Sequence, residues 1–326
     1  MRKQNQISRQ TNETKRKHGP RSVHIFDGVF RVMCERLSRL LIPLINETFG
    51  TSYPMDAEIV KLKNEHHIVE DKIVTDAYVK INGDAYHLEC QSTDMQIMIT
   101  RMFEYDLAIA LEEKRKTEHG YEVELPSSCV VYLRGRKGNH RLSNLRIKFP
   151  DGTFHDYKFK VSEVEAYSRE DMFEKNLLMF LPFYILRFEK KLPTGRRKDK
   201  KELQDFLDEF EKIREGLEAS PECKDPEYYV KLIELIIKVS DYVCGSKMKA
   251  KKEVRDIMRG KTLVLESDIM KEKARQEGRQ EGRQEGEGLL ANLINKLLSI
   301  GKNEDALKVT TDVTYRNKLY AQYGIK

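Results

Sequence analysis

The sequence predicts an α/β protein: a mixed central sheet flanked by helices, followed by a helical C-terminal region. Three observations carry this. Apolar residues recur at helical spacing in "FDGVFRVMCERLSRLLIPLINETFG" (26–50). Period-two alternation and an Asn-Gly turn mark strands and a hairpin between residues 57 and 92. After residue 163 the pattern is helical only. With 326 residues, 39% of them hydrophobic, the chain is long enough for one large domain with appendages or for two domains.

Taken in order, residues 1–22 hold Arg2, Lys3, Arg9, Lys15, Arg16, Lys17 and Arg21 against one acid, Glu13, and so account for the whole net charge of +6. The segment is rich in Gln, Asn, Thr and Ser, lacks apolar periodicity and reads as disordered. A phosphate-binding arm and a solubilising tail are both open for it. The first helix places Phe26, Val29, Phe30, Met33, Leu37, Leu40, Leu41 and Leu44 on one stripe and stops at Gly50. "AEIVKLKN" alternates as a strand does, and "EHHIVE" is the expected turn. "KIVTDAYVKI" and "AYHLECQS" are the two arms of a hairpin. "TDMQIMITRMFEYDLAIALEEKRK" is a long helix, with Thr93 or Asp94 as N-cap and Lys114–Lys116 at its cationic end. "SSCVVYLRG" (127–135) is a buried-type strand, and "LRIKFPDGTFHDYKFKV" a second hairpin turning at Pro150-Asp151-Gly152. "REDMFEKNLLMFLPFYILRFEKKL" reads as an apolar helix despite Pro182, and "TGRRKDKKE" (194–202) as a charged linker. Helices follow at about 200–218, 226–243 and 246–258. The expected divisions are a basic arm (1–22), a core (23–193), a helical region (194–270), and a charged repeat with a small helical tail (271–326).

Several classes are excluded. The five cysteines, Cys34, Cys90, Cys129, Cys223 and Cys244, make no CxxC pair and are odd in number, so neither a disulfide framework nor a zinc site is expected. They fit a reducing cytoplasm. The N-terminus lacks the apolar core of a signal peptide. The longest apolar run, Leu177 to Leu186, is too short to cross a bilayer and contains Pro182. A cytoplasmic protein with no membrane partner is expected.

"RQEGRQEGRQEG" (275–286) repeats every four residues. On a helix this lays Arg, Gln, Glu and Gly in slowly winding stripes. Arg-to-Glu spacings within the repeat are two or six, so no attractive i,i+3 or i,i+4 pair forms inside one helix, and three glycines weaken it further. Either an Arg stripe meets a Glu stripe on another copy, giving a homo-oligomer, or the repeat is a flexible polar linker. Residues 288–326 read as three short amphipathic helices forming a small packing module.

The hairpin carries the chemistry. Asn82-Gly83 favours a two-residue type I′ turn and sets the register. Val79 then faces Tyr86, Ala77 faces Leu88 and Thr75 faces Cys90 on the apolar side. On the other side Tyr78 faces His87, Asp76 faces Glu89 and Val74 faces Gln91. Opposed residues have Cβ atoms about 4.5–5.5 Å apart, where like charges repel. A cation must offset the Asp76–Glu89 pair, or one carboxylate must take up a proton. A hard divalent cation with oxygen ligands fits, with Gln91 on the same face to orient a water or a phosphate. A half-exposed sheet face with ordinary polar residues is the other reading, and in both His87 is expected as a surface strand histidine.

Asp76, a hairpin, and Glu89-x-Gln91 together resemble the PD-(D/E)XK nuclease pattern in the form with Gln in place of the final Lys. "FDGVFR" (26–31), "HLECQS" (87–92), "DMQIMITRMFEYD" (94–106), "VVYLRG" (130–135) and "LPFYILRFEK" (181–190), with the Gly-rich charged repeat, are similar to the ordered motifs of the recombination-promoting nuclease and transposase-like family within that superfamily. The resemblance runs from about residue 24 to the end. It departs from the pattern at Thr75, where Pro is usual, and at Gln91, where a fixed cation is lost. It implies a restriction-endonuclease-like core and a metal-dependent DNA endonuclease linked to recombination or mobile elements. It further implies Asp76, Glu89 and the Cys90 backbone carbonyl as ligands of Mg²⁺, with Mn²⁺ as a substitute. Gln91 would position the attacking water, and Asp27 would add an acid beside the metal, with Glu47 its rival. DNA is the implied partner. Arg101 and Tyr105, one turn apart on the following helix, would touch phosphate or brace the site. The basic loop "RGRKGNHR" (134–141) would lie along a DNA backbone or stay solvated. The rival class is a DNA-binding or oligomerising protein whose nuclease site is weak or silent.

Overall fold

The computed structural model describes residues 20–68, 71–92, 97–135, 144–190, 192, 199–260 and 262–325. Most of the basic arm (1–19), the helix caps Thr93 and Asp94, residues 136–143 of the cationic loop and residues 194–198 of the expected charged linker lie outside these, and the linker's last four residues, 199–202, are helical. Helix α1, Pro20–Arg36, begins inside the expected arm. It stops at Leu37, passes through a 3₁₀ turn over Ser38–Leu40 and resumes as α2, Leu41–Phe49, capped by Gly50 at φ 72°. One continuous helix was expected here. Pro43 explains the break: in a continuous helix its ring would meet the carbonyl of Arg39, whereas the first turn of a new helix tolerates it.

Strand β1, Ile59–Lys61, is followed by β2, Glu65–Ile68, and β3, Asp71–Val74, which pair antiparallel. The first four residues of "EHHIVE" are therefore strand, correcting the expected turn. The arm read as one strand over 72–81 is two: the chain leaves β3 at Thr75, whose N–H donates to the Asn64 carbonyl, and re-enters the main sheet as β4, Ala77–Ile81. The turn at Asn82 (φ 52°) and Gly83 (φ 96°) then leads into β5, Asp84–Gln91. Both positive φ values are what a type I′ turn demands. The register is the expected one, with Ala77 opposite Leu88, Tyr78 opposite His87 and Val79 opposite Tyr86. The ladder ends at Ala77, so Thr75–Cys90 and Val74–Gln91 do not pair.

Helix α3, Met98–Glu112, follows, shorter than expected. Arg115–Thr117 (β6) turns back against Gly120–Glu122 (β7) instead of extending it. Strand β8, Ser127–Tyr132, runs parallel to β5. Strands β9, Asn144–Lys148, and β10, Phe154–Lys158, form the second hairpin. Its expected arm ends in a separate strand, β11, Lys160–Glu163, which runs parallel to β8. The central sheet has the order β1-β4-β5-β8-β11, antiparallel on one side of β5 and parallel on the other. Helices cover both faces. Leu88 and Cys90 share one face of β5 and its neighbours with Cys129, whose thiol meets Thr48 of α2. His87 and Glu89 share the opposite face with Ser128, Val130 and Tyr132, under α3. There Met98, Ile99 and Met102 pack with Val130, Tyr132, Tyr157 and Phe159. A central strand covered on both faces has no wet side, so the half-exposed face expected for the hairpin does not exist. Tyr78, His87 and Glu89 are all buried.

The segment 169–192 is not a single helix. It breaks into α4, Arg169–Glu174, a 3₁₀ turn, α5, Leu181–Tyr184, and a second 3₁₀ turn. Asn176 at φ 56° and Pro182 at the start of α5 interrupt the periodicity. Helices α6, Asp199–Ala219, α7, Pro226–Cys244, and α8, Met248–Arg259, follow as expected. Helix α7 packs on α1, where Phe26 and Tyr242 stack edge to face at 5.0 Å.

Residues up to Thr262 form one compact unit and those from Leu263 a second. Helix α9, Thr262–Ser299, begins at the last residue of the first unit and runs through the whole charged repeat of the second without a break. The repeat is thus helical and not a flexible linker. An ion pair joins Arg283 to Glu287 at 3.5 Å, where Glu287 departs from the four-residue period. Leu293 and Leu297 close a small core with Ala306 and Val309 of α10, Asn303–Thr311, and Leu319 of α11, Val313–Tyr323. Among the described residues no helix is long and apolar enough to cross a membrane.

Gly83 holds φ 96° in the turn that sets the β4–β5 register. Gly83→Ala should lower stability by about 1–2 kcal/mol through the left-handed strain alone. Urea denaturation would measure it; an unchanged midpoint would mean the turn relaxes freely.

Candidate active site

The site forms where β4 has just begun and β5 is ending. Asp76 lies one residue before β4, at the kink from β3, and is buried. Its backbone N–H donates to Glu89 Oε1 at 3.0 Å, and the Cys90 N–H donates to Asp76 Oδ2 at 3.0 Å. Side chains thus continue the hydrogen bonding where the main-chain ladder stops. A strand residue directs its N–H and C=O to the same neighbour, so the Cys90 carbonyl points to this edge as well. Arg31 of α1, partly exposed, donates from Nη2 to Asp76 Oδ1 at 3.1 Å.

Beneath Glu89 a second network closes. His87 Nε2 lies 3.2 Å from Glu89 Oε1, and its Nδ1 lies 2.6 Å from Asp106 Oδ1 on α3. Asp106 Oδ2 accepts from Ser128 Oγ and from the Tyr157 hydroxyl, both at 2.6 Å. His87 and Asp106 are fully buried, which corrects the expectation of a surface histidine. The cause is the covering of β5 by α3. Sequence reasoning missed Asp106, but a signal existed: it falls four residues after Met102 and three before Ile109, an acid on the apolar stripe of a helix. Arg31 was missed as well. It stands four residues after Asp27, one turn further along α1.

The electrostatics follow from burial. The Asp76 carboxyl is raised to about 7, first by desolvation and then by the Glu89 charge, with Asp27 adding to it and the Cys90 N–H and Arg31 opposing. Burial alone would lower His87, but its contacts with Asp106 and Glu89 outweigh it and raise the imidazole to about 9. The Cys34 and Cys90 thiols are pushed well up, by burial first and by Asp76 next, so neither is a ready nucleophile.

The other expected residues take these places. Asp27 is close enough for its charge to act on Asp76, Arg31 and Cys90. Glu47 is engaged elsewhere, with Lys175 and the Tyr167 hydroxyl. Gln91 ends β5 on the Glu89 face, partly exposed, and its carbonyl accepts from the Leu133 N–H at 2.9 Å. Arg101 lies over the Tyr105 ring at 5.4 Å, donates to its hydroxyl at 3.0 Å, and feels the charges of Glu89 and Asp76. Tyr105 therefore braces Arg101. Arg134, which opens the cationic loop, pairs with Glu189 at 2.8 Å and covers the Phe26 ring.

Oxygen donors dominate this edge: the Asp76 carboxylate, Glu89, and the Cys90 carbonyl directed to it. Glu89 Oε1 takes both hydrogen bonds, and Oε2 accepts none from the described residues. No cluster of three or more His, Cys, Asp or Glu side chains spaced to hold a metal occurs among the described residues. A Mg²⁺ ion needs only one or two carboxylates with waters and phosphate oxygens, and the residues present fit that pattern. Protein-family models, curated proteins and solved structures were compared with the chain, and none matches.

His87 is raised above the ordinary value of about 6.5. Its bound proton therefore stabilises the fold fully below pH 6.5, and this contribution is lost as pH rises through about 9. Thermal melting from pH 6 to 10 should fall more steeply in the parent protein than in His87→Gln; parallel curves would mean that His87 carries no such proton.

Proposed function

We propose that the protein is a metal-dependent DNA endonuclease of the PD-(D/E)XK type, hydrolysing phosphodiester bonds in recombination or in the movement of mobile elements. The observation that carries this reading is the junction of Asp76 and Glu89. Two buried acids are held side by side at the end of a central hairpin, Glu89 Oε1 by the Asp76 N–H and Asp76 Oδ2 by the Cys90 N–H, while Glu89 Oε2 accepts no hydrogen bond from the described residues. A mixed sheet flanked by helices, with Asp27 on α1 and Gln91 two residues past Glu89, agrees with what the motif resemblance implies.

In this reading Asp76, Glu89 and the Cys90 carbonyl would hold Mg²⁺, or Mn²⁺ in its place. The bound ion would lower the pKa of a coordinated water and neutralise charge on the scissile phosphate. The Gln91 amide would orient the attacking water without contributing charge. Arg101, held by Tyr105, faces the same edge and would receive a phosphate oxygen as a fixed cation. Asp27 adds negative charge that favours a cation at the edge. The buried, helix-covered face of β5 keeps bulk water away from Glu89.

A second reading has one observation in its favour. Arg31 and His87 already bring positive charge to Asp76 and Glu89, so the pair stands without a metal ion. A DNA-binding or oligomerising protein with a silent site would look the same. Purified protein should nick supercoiled plasmid with Mg²⁺ or Mn²⁺, and Asp76→Ala and Glu89→Ala should bring the rate to background. DNA retention on a gel without cleavage in either metal would decide for the silent site.

We further infer that the helical repeat at 275–286 joins copies of this chain, Arg stripe against Glu stripe. A chain ending at Ala274 should have a smaller assembly mass by light scattering; the same number of copies per particle would refute the pairing.

A further inference from the structure

The fully buried Asp106 has no part in the mechanism above, yet both of its oxygens are held by hydrogen bonds. Three donors converge on it from three elements: His87 of β5 on Oδ1, and Ser128 of β8 and Tyr157 of β10 on Oδ2. A structural carboxylate has little need of a histidine that bridges onward to a second acid. His87 makes that bridge, with Nε2 at Glu89 Oε1. The two oxygens of Glu89 thereby become unequal. Oε1 is held from the Asp76 N–H on one side and from His87 on the other, while Oε2 accepts nothing from the described residues. Outer partners of this sort fix the orientation of a coordinating group and tune its basicity.

We propose that Asp106 is a positioning residue for the metal site: acting through His87, it pins Glu89 Oε1 and so presents Oε2 as the coordinating oxygen. The inference rests on the reading of Glu89 as a metal ligand. Ser128 and Tyr157 hold the far oxygen of Asp106. They aim the carboxylate at His87 but do not touch Glu89, which makes Tyr157 the control. Tyr157→Phe removes a hydrogen bond of the same 2.6 Å length to the same carboxylate, yet leaves the His87 side of Asp106 in place.

The experiment is Mn²⁺ binding to the full chain without DNA, followed by electron paramagnetic resonance, alongside thermal melting. The parent protein is expected to bind Mn²⁺ and Glu89→Ala to lose it; a parent that binds none defeats the nuclease reading itself. Given binding, Asp106→Asn should weaken it by about 10–100-fold, the usual range for an outer partner of a ligand. Tyr157→Phe should lower the melting temperature and leave the Mn²⁺ affinity unchanged. Equal affinity in Asp106→Asn and parent overturns the proposal, as does an equal loss in both variants, and in either case the metal site stands. If Asp106→Asn does not fold, the parent protein still decides. The His87 Nε2–H resonance should move on titration with Mg²⁺, and a resonance that stays fixed while the ion binds overturns the proposal.

Discussion

Two acids buried side by side impose a requirement on everything around them. A carboxylate taken out of water is tolerated only when donors or cations replace the lost hydration, and here Asp76 and Glu89 make that demand at one point. The fold answers with four groups: the N–H groups of Asp76, at the kink before β4, and of Cys90 on β5, Arg31 from α1, and His87 from β5 itself. Helix α1 must lie where Arg31 reaches the kink before β4. Helix α3 must lie where Asp106 reaches His87. The packing of these two helices on opposite faces of the sheet is therefore tied to the neutralisation of one charge pair.

The same arrangement has a chemical consequence. Each hydrogen bond that stabilises the pair also aims it. The Asp76 N–H and His87 both draw on Glu89 Oε1, and the Cys90 N–H on Asp76 Oδ2, which leaves Asp76 Oδ1 to Arg31 and Glu89 Oε2 without a hydrogen bond from the described residues. An arginine hydrogen-bonded to an acid of the pair is a competitor for any divalent cation, since both satisfy the same carboxylate. On the nuclease reading, metal binding is an exchange of one cation for another, and Gln91, being neutral, adds nothing to the repulsion that the ion meets.

Much of the sheet is legible in the sequence. Asn82-Gly83 alone specified the β4–β5 register, because a two-residue turn with positive φ at both positions permits one pairing. That register placed Asp76 against Glu89. The expected geometry of their meeting was wrong in detail. The chain kinks at Thr75, and the two acids meet through backbone N–H groups rather than as a cross-strand pair. The kink was illegible because β3 finds its partner in β2, a strand whose residues read as a turn. The long helix expected over 169–192 failed for a related reason: apolar periodicity reports burial, and buried 3₁₀ turns produce it as well as an α-helix does.

Sequence by itself determined the elements whose geometry is local. These are the turn at 82–83, the apolar stripes of α1, α3 and α7, the strand at 127–132, and the proximity of Asp76 to Glu89. Tertiary structure alone decided the fate of the polar face of β5. A strand pattern states which side chains share a face, and the element that packs over that face is a long-range matter. With α3 above it, His87 became a buried bridge between Asp106 and Glu89, and Arg31, from a helix more than forty residues earlier, became the cation that meets Asp76.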